Sequence, residues 1–112
     1  MITKFSVFEA INYTNIYKLK VGDYVIMNSY SENDVLINFL ENNIGKIMIV
    51  NYDRIVVKYE NIPEDCKFFF SLIIDNIMNN GDLKEFHIKL IKHISDNKED
   101  LGVILSQNKY NL

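Results

Sequence analysis

Apolar and polar positions alternate with a period of two in the middle of the chain, which is the pattern of strands with one covered face. Tyr24 and Ile26 point one way and Val25 and Met27 the other, after a turn at Gly22 and Asp23. A second apolar run, 44–50, opens on Gly45, and a third, 55–60, puts Ile55, Val57 and Tyr59 on one side and Val56, Lys58 and Glu60 on the other. The short polar gap Asn51, Tyr52, Asp53, Arg54 between these runs predicts a hairpin turn. Pro63 ends the third strand, because it cannot donate to a ladder.

Between the first two strands the period changes. Ser31 to Asp34 has the form of a capping box, and Val35, Leu36, Phe39 and Leu40 then make one apolar stripe, predicting a short helix near 32–42 that seals one end of the sheet. Beyond Pro63 the pattern is less regular. Phe68, Phe69 and Phe70 predict a strand at 67–71, and 73–79 reads as a short helix or loop. Asn79, Asn80, Gly81 and Asp82 read as a break, followed by a final strand at 86–94. A second capping box at Asp96 to Glu99 predicts a C-terminal helix near 97–107, within which Gly102 costs about 1 kcal/mol relative to alanine. Residues 1–17 fit either a helical face or an alternating strand, and are expected to form a hook that packs Phe5 and Phe8 as core. The expected fold class is α+β: one domain over 1–112, with the hook at 1–17, a five-stranded SH3-like β-barrel with the inserted helix at 18–95, and the C-terminal helix at 96–112.

A chain of 112 residues supports one core without metals or disulfides, and the single Cys66 excludes an internal disulfide. A lone thiol, no apolar run of spanning length and no secretory leader pattern predict a cytoplasmic protein without a membrane partner. The formal charge of −3 argues against a general electrostatic grip on nucleic acid. Heavy use of Asn, Ile, Lys and Tyr, with few Arg, Ala, Gly and Pro, is the bias of an AT-rich genome.

Three segments carry a resemblance. Phe5, Ser6, Val7, Phe8 and Glu9 resemble the KTFE opening of many small bacteriophage proteins. Residues 19–25, 43–47 and 57–63 are similar to their KVGDYV, NIGKI and VKYENIP core, and 97–101 and 108–112 to their NKEDL and NKYNL tail. These are uncharacterised phage proteins with an SH3-like core, so the resemblance implies a fold and an origin, and no catalytic or ligand residues. The apolar segment 72–78 departs from the pattern, standing where a shorter and more polar connection is usual.

Candidate chemistry is sparse. Cys66, His87 and His93 lack the paired spacing of a zinc site, and a Cys–His nucleophile lacks any surrounding signature. No phosphate loop, dinucleotide fingerprint or nucleophile elbow is present. No cofactor and no enzymatic activity are therefore expected. The expected function is that of a phage accessory protein that binds another protein, of host or phage, with inhibition of a host or defence factor as its purpose. The candidate contact residues are Tyr24, Tyr52, Tyr59, Phe69, Ile73 and Ile77. Segment 72–78 reads either as interior or as an exposed patch that pairs with a second copy. A KOW-like nucleic-acid factor, using Lys18, Lys20, Lys46, Lys58, Lys89 and Lys92 with tyrosine stacking platforms, is the alternative. A minor virion or assembly component is a third.

Overall fold

The computed structural model describes residues 19–29, 31–74 and 77–110, and the side chains of these except 72–80 and 108–110. The hook expected at 1–17, with Phe5 and Phe8, lies outside the described residues, as do Tyr17 and Lys18. Strand β1 (Tyr24–Met27) is followed by helix α1 (Asp34–Glu41), then by β2 (Gly45–Asn51) and β3 (Arg54–Lys58). A 3-10 turn (Glu64–Phe69) leads to β4 (Ser71–Ile74) and the long β5 (Ile77–His87). A second 3-10 turn (Ile88–Leu90), β6 (Ile91–Ser95) and helix α2 (Lys98–Tyr110) complete the chain. All pairings are antiparallel, in the order β4-β5-β3-β2-β1-β6.

The expected α+β class holds, with an antiparallel sheet and both helices. Five strands, β5-β3-β2-β1-β6, form its body, and the short β4 is added at one edge by folding back on β5. Among the described residues the ladder is not closed, with β4 and β6 as its edges. Bulges between Ile26 and Met27 and between Ile47 and Ile49 bend the sheet strongly nonetheless.

The alternation seen in the sequence sets the two faces. Val25, Met27, Ile47, Ile55, Val57 and Tyr59 enter one buried cluster, which α1 closes with Leu36, Phe39 and Leu40. Within it Phe39, Tyr59, Phe70 and Phe86 stack edge to face at centroid separations of 5.5 to 6.4 Å. Ile26 lies on the other face, the one α2 covers through its contacts with β1 and β6, and Leu101 is buried there with no exposed area.

Helix α1 starts later than the capping-box reading placed it. Asn33 is the cap, its Oδ1 accepting the Leu36 N–H at 3.0 Å, while Ser31 Oγ accepts from the Asn33 N–H. The reading of 67–79 is corrected more substantially. Residues 67–69 lie in a 3-10 turn rather than a strand, with Cys66 and Phe70 turned inward. Within the segment 73–79, residues 73–74 and 77–79 are strand rather than helix or loop, because Ile73 and Ile74 pair with Met78 and Ile77. The expected break at 79–82 is instead a bend inside β5, where Gly81 takes φ +80° beside a register shift. The strand expected at 86–94 is interrupted by the 3-10 turn after His87.

In α2 a Cβ on Gly102 would meet nothing within 4 Å. Gly102→Ala is therefore expected to raise stability by about 0.5–1 kcal/mol, read as a higher urea midpoint at unchanged slope.

Candidate functional site

Strand β5 is shared between two partners. Its C-terminal part, Leu83 to His87, pairs with β3, while residues from Ile77 to Leu83 pair with β4. The β4–β5 hairpin therefore projects past the end of β3 as a two-stranded arm. Among the described residues β4 is paired on one side only, and its sequence, Ser71, Leu72, Ile73, Ile74, holds no charge and no proline. Natural edges are usually guarded by such residues.

The 3-10 turn before the arm supplies exposed aromatic surface. Phe68 is 76% exposed and stacks on the half-buried Phe69 at a centroid distance of 4.1 Å. Lys84 lies nearby, its Nζ 5.9 Å from the Phe69 ring centroid and 5.6 Å from that of Phe86. Burial lowers the Lys84 pKa from its ordinary value, and the two ring faces offset part of that cost. A cleft of about 450 Å³ opens at the root of the arm between Glu60, Asn61, Ile62, Lys67 and Asp82.

The six expected contact residues do not form one surface. Tyr52 is 96% exposed at the tip of the β2–β3 hairpin, held at φ +57°, a left-handed conformation that is costly for an aromatic residue. Phe69 stands beside Phe68. Ile73 and Ile77 lie near the end of the arm, in register with Met78 and Ile74, and their side chains are outside the described residues. Tyr59 is corrected outright: at 1% exposure it belongs to the core, because its place just past β3 keeps the alternation and aims it inward with Ile55 and Val57. Burial pushes its phenol far above the ordinary range.

Tyr24 belongs to a second cleft. Its Cα partner across β1–β2 is Lys46, whose partner across β2–β3 is Lys58. Directly paired residues share a face, so a tyrosine and two lysines stand in one row. Lys98, the first residue of α2, joins them around a cleft of about 200 Å³ that Gly45 and Glu60 also line. Of the five described lysines expected to share a basic face, Lys46 and Lys58 line this cleft and Lys20, Lys89 and Lys92 do not.

No group of three or more His, Cys, Asp or Glu that would hold a metal ion occurs among the described residues. Cys66 is buried, and burial followed by the neighbouring Asp65 pushes its thiol pKa up, away from the reactive thiolate. His87 is fixed at the rim: its Nδ1 accepts the Lys89 N–H at 3.0 Å, so Nε2 carries the proton toward Asp53, 3.2 Å away.

His93 on β6 is half-buried, and burial, then Lys92, hold its pKa below the ordinary 6.5. The unfolded chain therefore takes up the proton first as pH falls. Stability from this group is complete above pH 6.5 and erodes below it until the folded pKa is passed, with a slope of at most about 1.4 kcal/mol per pH unit. Urea unfolding at pH 7.5 and 5.5 should show the loss, and His93→Gln should flatten it.

No family model, curated protein or solved structure matches this chain.

Proposed function

We propose that this chain is a phage accessory protein without catalytic function that acts by binding another protein, with a host or defence factor as the target. The unguarded edge of β4 carries this reading. An extended segment of a partner adds to such an edge through main-chain hydrogen bonds, and neighbouring side-chain surface supplies selectivity. Phe68 and Phe69 provide that surface at the base of the same arm.

The strand order supports an SH3-like body opened at one seam. Four strands (β1, β2, β3 and β5) follow one another as neighbours, and the last returns beside the first after a 3-10 turn. Folds of this kind host many functions, so the site and not the topology carries the assignment. The phage origin is supported by the resemblance of the sequence segments alone.

The test is affinity capture from host cells with the full chain, its Phe68→Asp variant and an Ile73→Lys variant, with unfolding curves for each. A partner retained by the parent and lost by both variants, at unchanged stability, is the expected outcome. A partner held equally by all three overturns the assignment to this arm, and no specific partner overturns the binding function.

A further inference from the structure

The geometry points to a second binding site, independent of the arm, in which the cleft between Tyr24, Lys46, Lys58 and Lys98 takes the phosphate of a nucleotide with the base against Tyr24. The charge arrangement is the starting point. Lys46 and Lys58 are direct partners in an antiparallel ladder, where like charges repel and lower stability. Lys98 is the first residue of α2, whose positive end is offset by Glu99 and Asp100 in the same turn. The β2–β3 ladder thus pairs two lysines where local electrostatics opposes them, and Lys98 of α2 faces the same small space. Such violations of local preference are expected at functional sites.

Neither ion pair among the described residues involves Lys46, Lys58 or Lys98. The lining holds three lysines against one glutamate, Glu60, so it stays positive while the chain as a whole is −3. A cleft of about 200 Å³ fits a small anion rather than an extended polyanion, which the acidic remainder of the surface would repel. Tyr24, half-buried in the same row, offers a ring beside the ammonium groups, and Glu60 accepts from hydroxyl or amine donors that inorganic phosphate lacks. Cation, ring and acceptor together match a nucleotide better than a bare anion.

The experiment is calorimetric titration of the full chain with AMP, ATP, inorganic phosphate, a 5′-phosphorylated oligothymidylate and a glutamate-rich peptide, with amide shifts mapped by NMR. Saturable binding of AMP or ATP is expected, at least tenfold tighter than phosphate, with shifts at Tyr24, Lys46, Lys58 and Lys98. Lys46→Gln, Lys58→Gln and Lys98→Gln should each weaken it about three- to tenfold, and Tyr24→Leu about tenfold with the nucleotides but not with phosphate. Lys89→Gln is the unaffected control. The oligonucleotide separates the two sources of the same chemistry. If a strand end is the ligand it binds more tightly than AMP, with a log–log salt slope that falls by about 0.7 for each lysine removed. If a free nucleotide is the ligand the oligonucleotide gains nothing. Lys46→Gln should also raise the melting temperature while it weakens binding, a trade-off that a purely structural lysine would not give. Absence of nucleotide binding, binding unchanged in the triple lysine variant, or preference for phosphate or the acidic peptide each overturns the proposal.

Discussion

Tyr59→Ala is expected to cost about 3–5 kcal/mol, a large share of the stability of a domain of this size. The ring touches three others, with centroids 5.5 Å from Phe39, 5.7 Å from Phe70 and 6.4 Å from Phe86. Those three come from α1, the end of the first 3-10 turn and β5, so truncation leaves a void where three separate elements meet. Tyr59→Phe should behave in the opposite sense. The phenolic oxygen is buried without a hydrogen-bond partner among the described residues, and removing a buried, unsatisfied hydroxyl is neutral or stabilising by about 1 kcal/mol. Urea unfolding of both variants separates ring from hydroxyl. A loss of more than 1 kcal/mol in Tyr59→Phe would show that the hydroxyl has a partner and refute this account of the core.

Gly45→Ala is expected to destabilise by about 1–3 kcal/mol or more, although alanine is the smallest possible addition. A Cβ built at Gly45 would collide with Val57 Cγ1 and stand 2.9 Å from Tyr59 Cζ, both far inside van der Waals contact. The backbone of β2 lies directly on the inward side chains of β3, and both strands are held by their ladder. Relief requires removing the obstacle. In a double-mutant cycle Val57→Ala should recover part of the loss, with a coupling of about 1 kcal/mol or more. Simple additivity would mean that the strands move apart freely at this point.

The inward and outward sets on β1 and β3 were legible because a period of two is a property of the strand itself. The stripe of α1 was legible for the same kind of reason, with Leu36, Phe39 and Leu40 buried as expected, although Val35, read as part of the stripe, is 43% exposed. Residues 67–79 were misread because three adjacent aromatics suggest a strand, whereas the tight turn after Pro63 sends them to different surroundings: Phe70 inward, Phe68 outward. The polar run ending at Asp82 looked like a break because a glycine among asparagines does not distinguish the end of a strand from a bend within one.

The lysine cleft was hidden for a sharper reason. Counting back from the turn pair Asn51 and Arg54 without interruption places Lys46 opposite Tyr59. The bulge between Ile47 and Ile49 moves the register by one, and Lys46 faces Lys58 instead. No local pattern announces that shift, and Lys98 arrives from a helix forty residues further along the chain. The exposure of Phe68 and the pairing of Lys84 with two rings depend in the same way on tertiary placement.

The pairing of Tyr24 with Ser95 ties the first described strand to the last. During synthesis β1 can acquire its second neighbour only after residue 95 has left the ribosome, so the body of the domain is completed late. Such distant contacts slow the search for the native state into the millisecond-to-second range, and until then both flanks of the nascent sheet stay open to other chains.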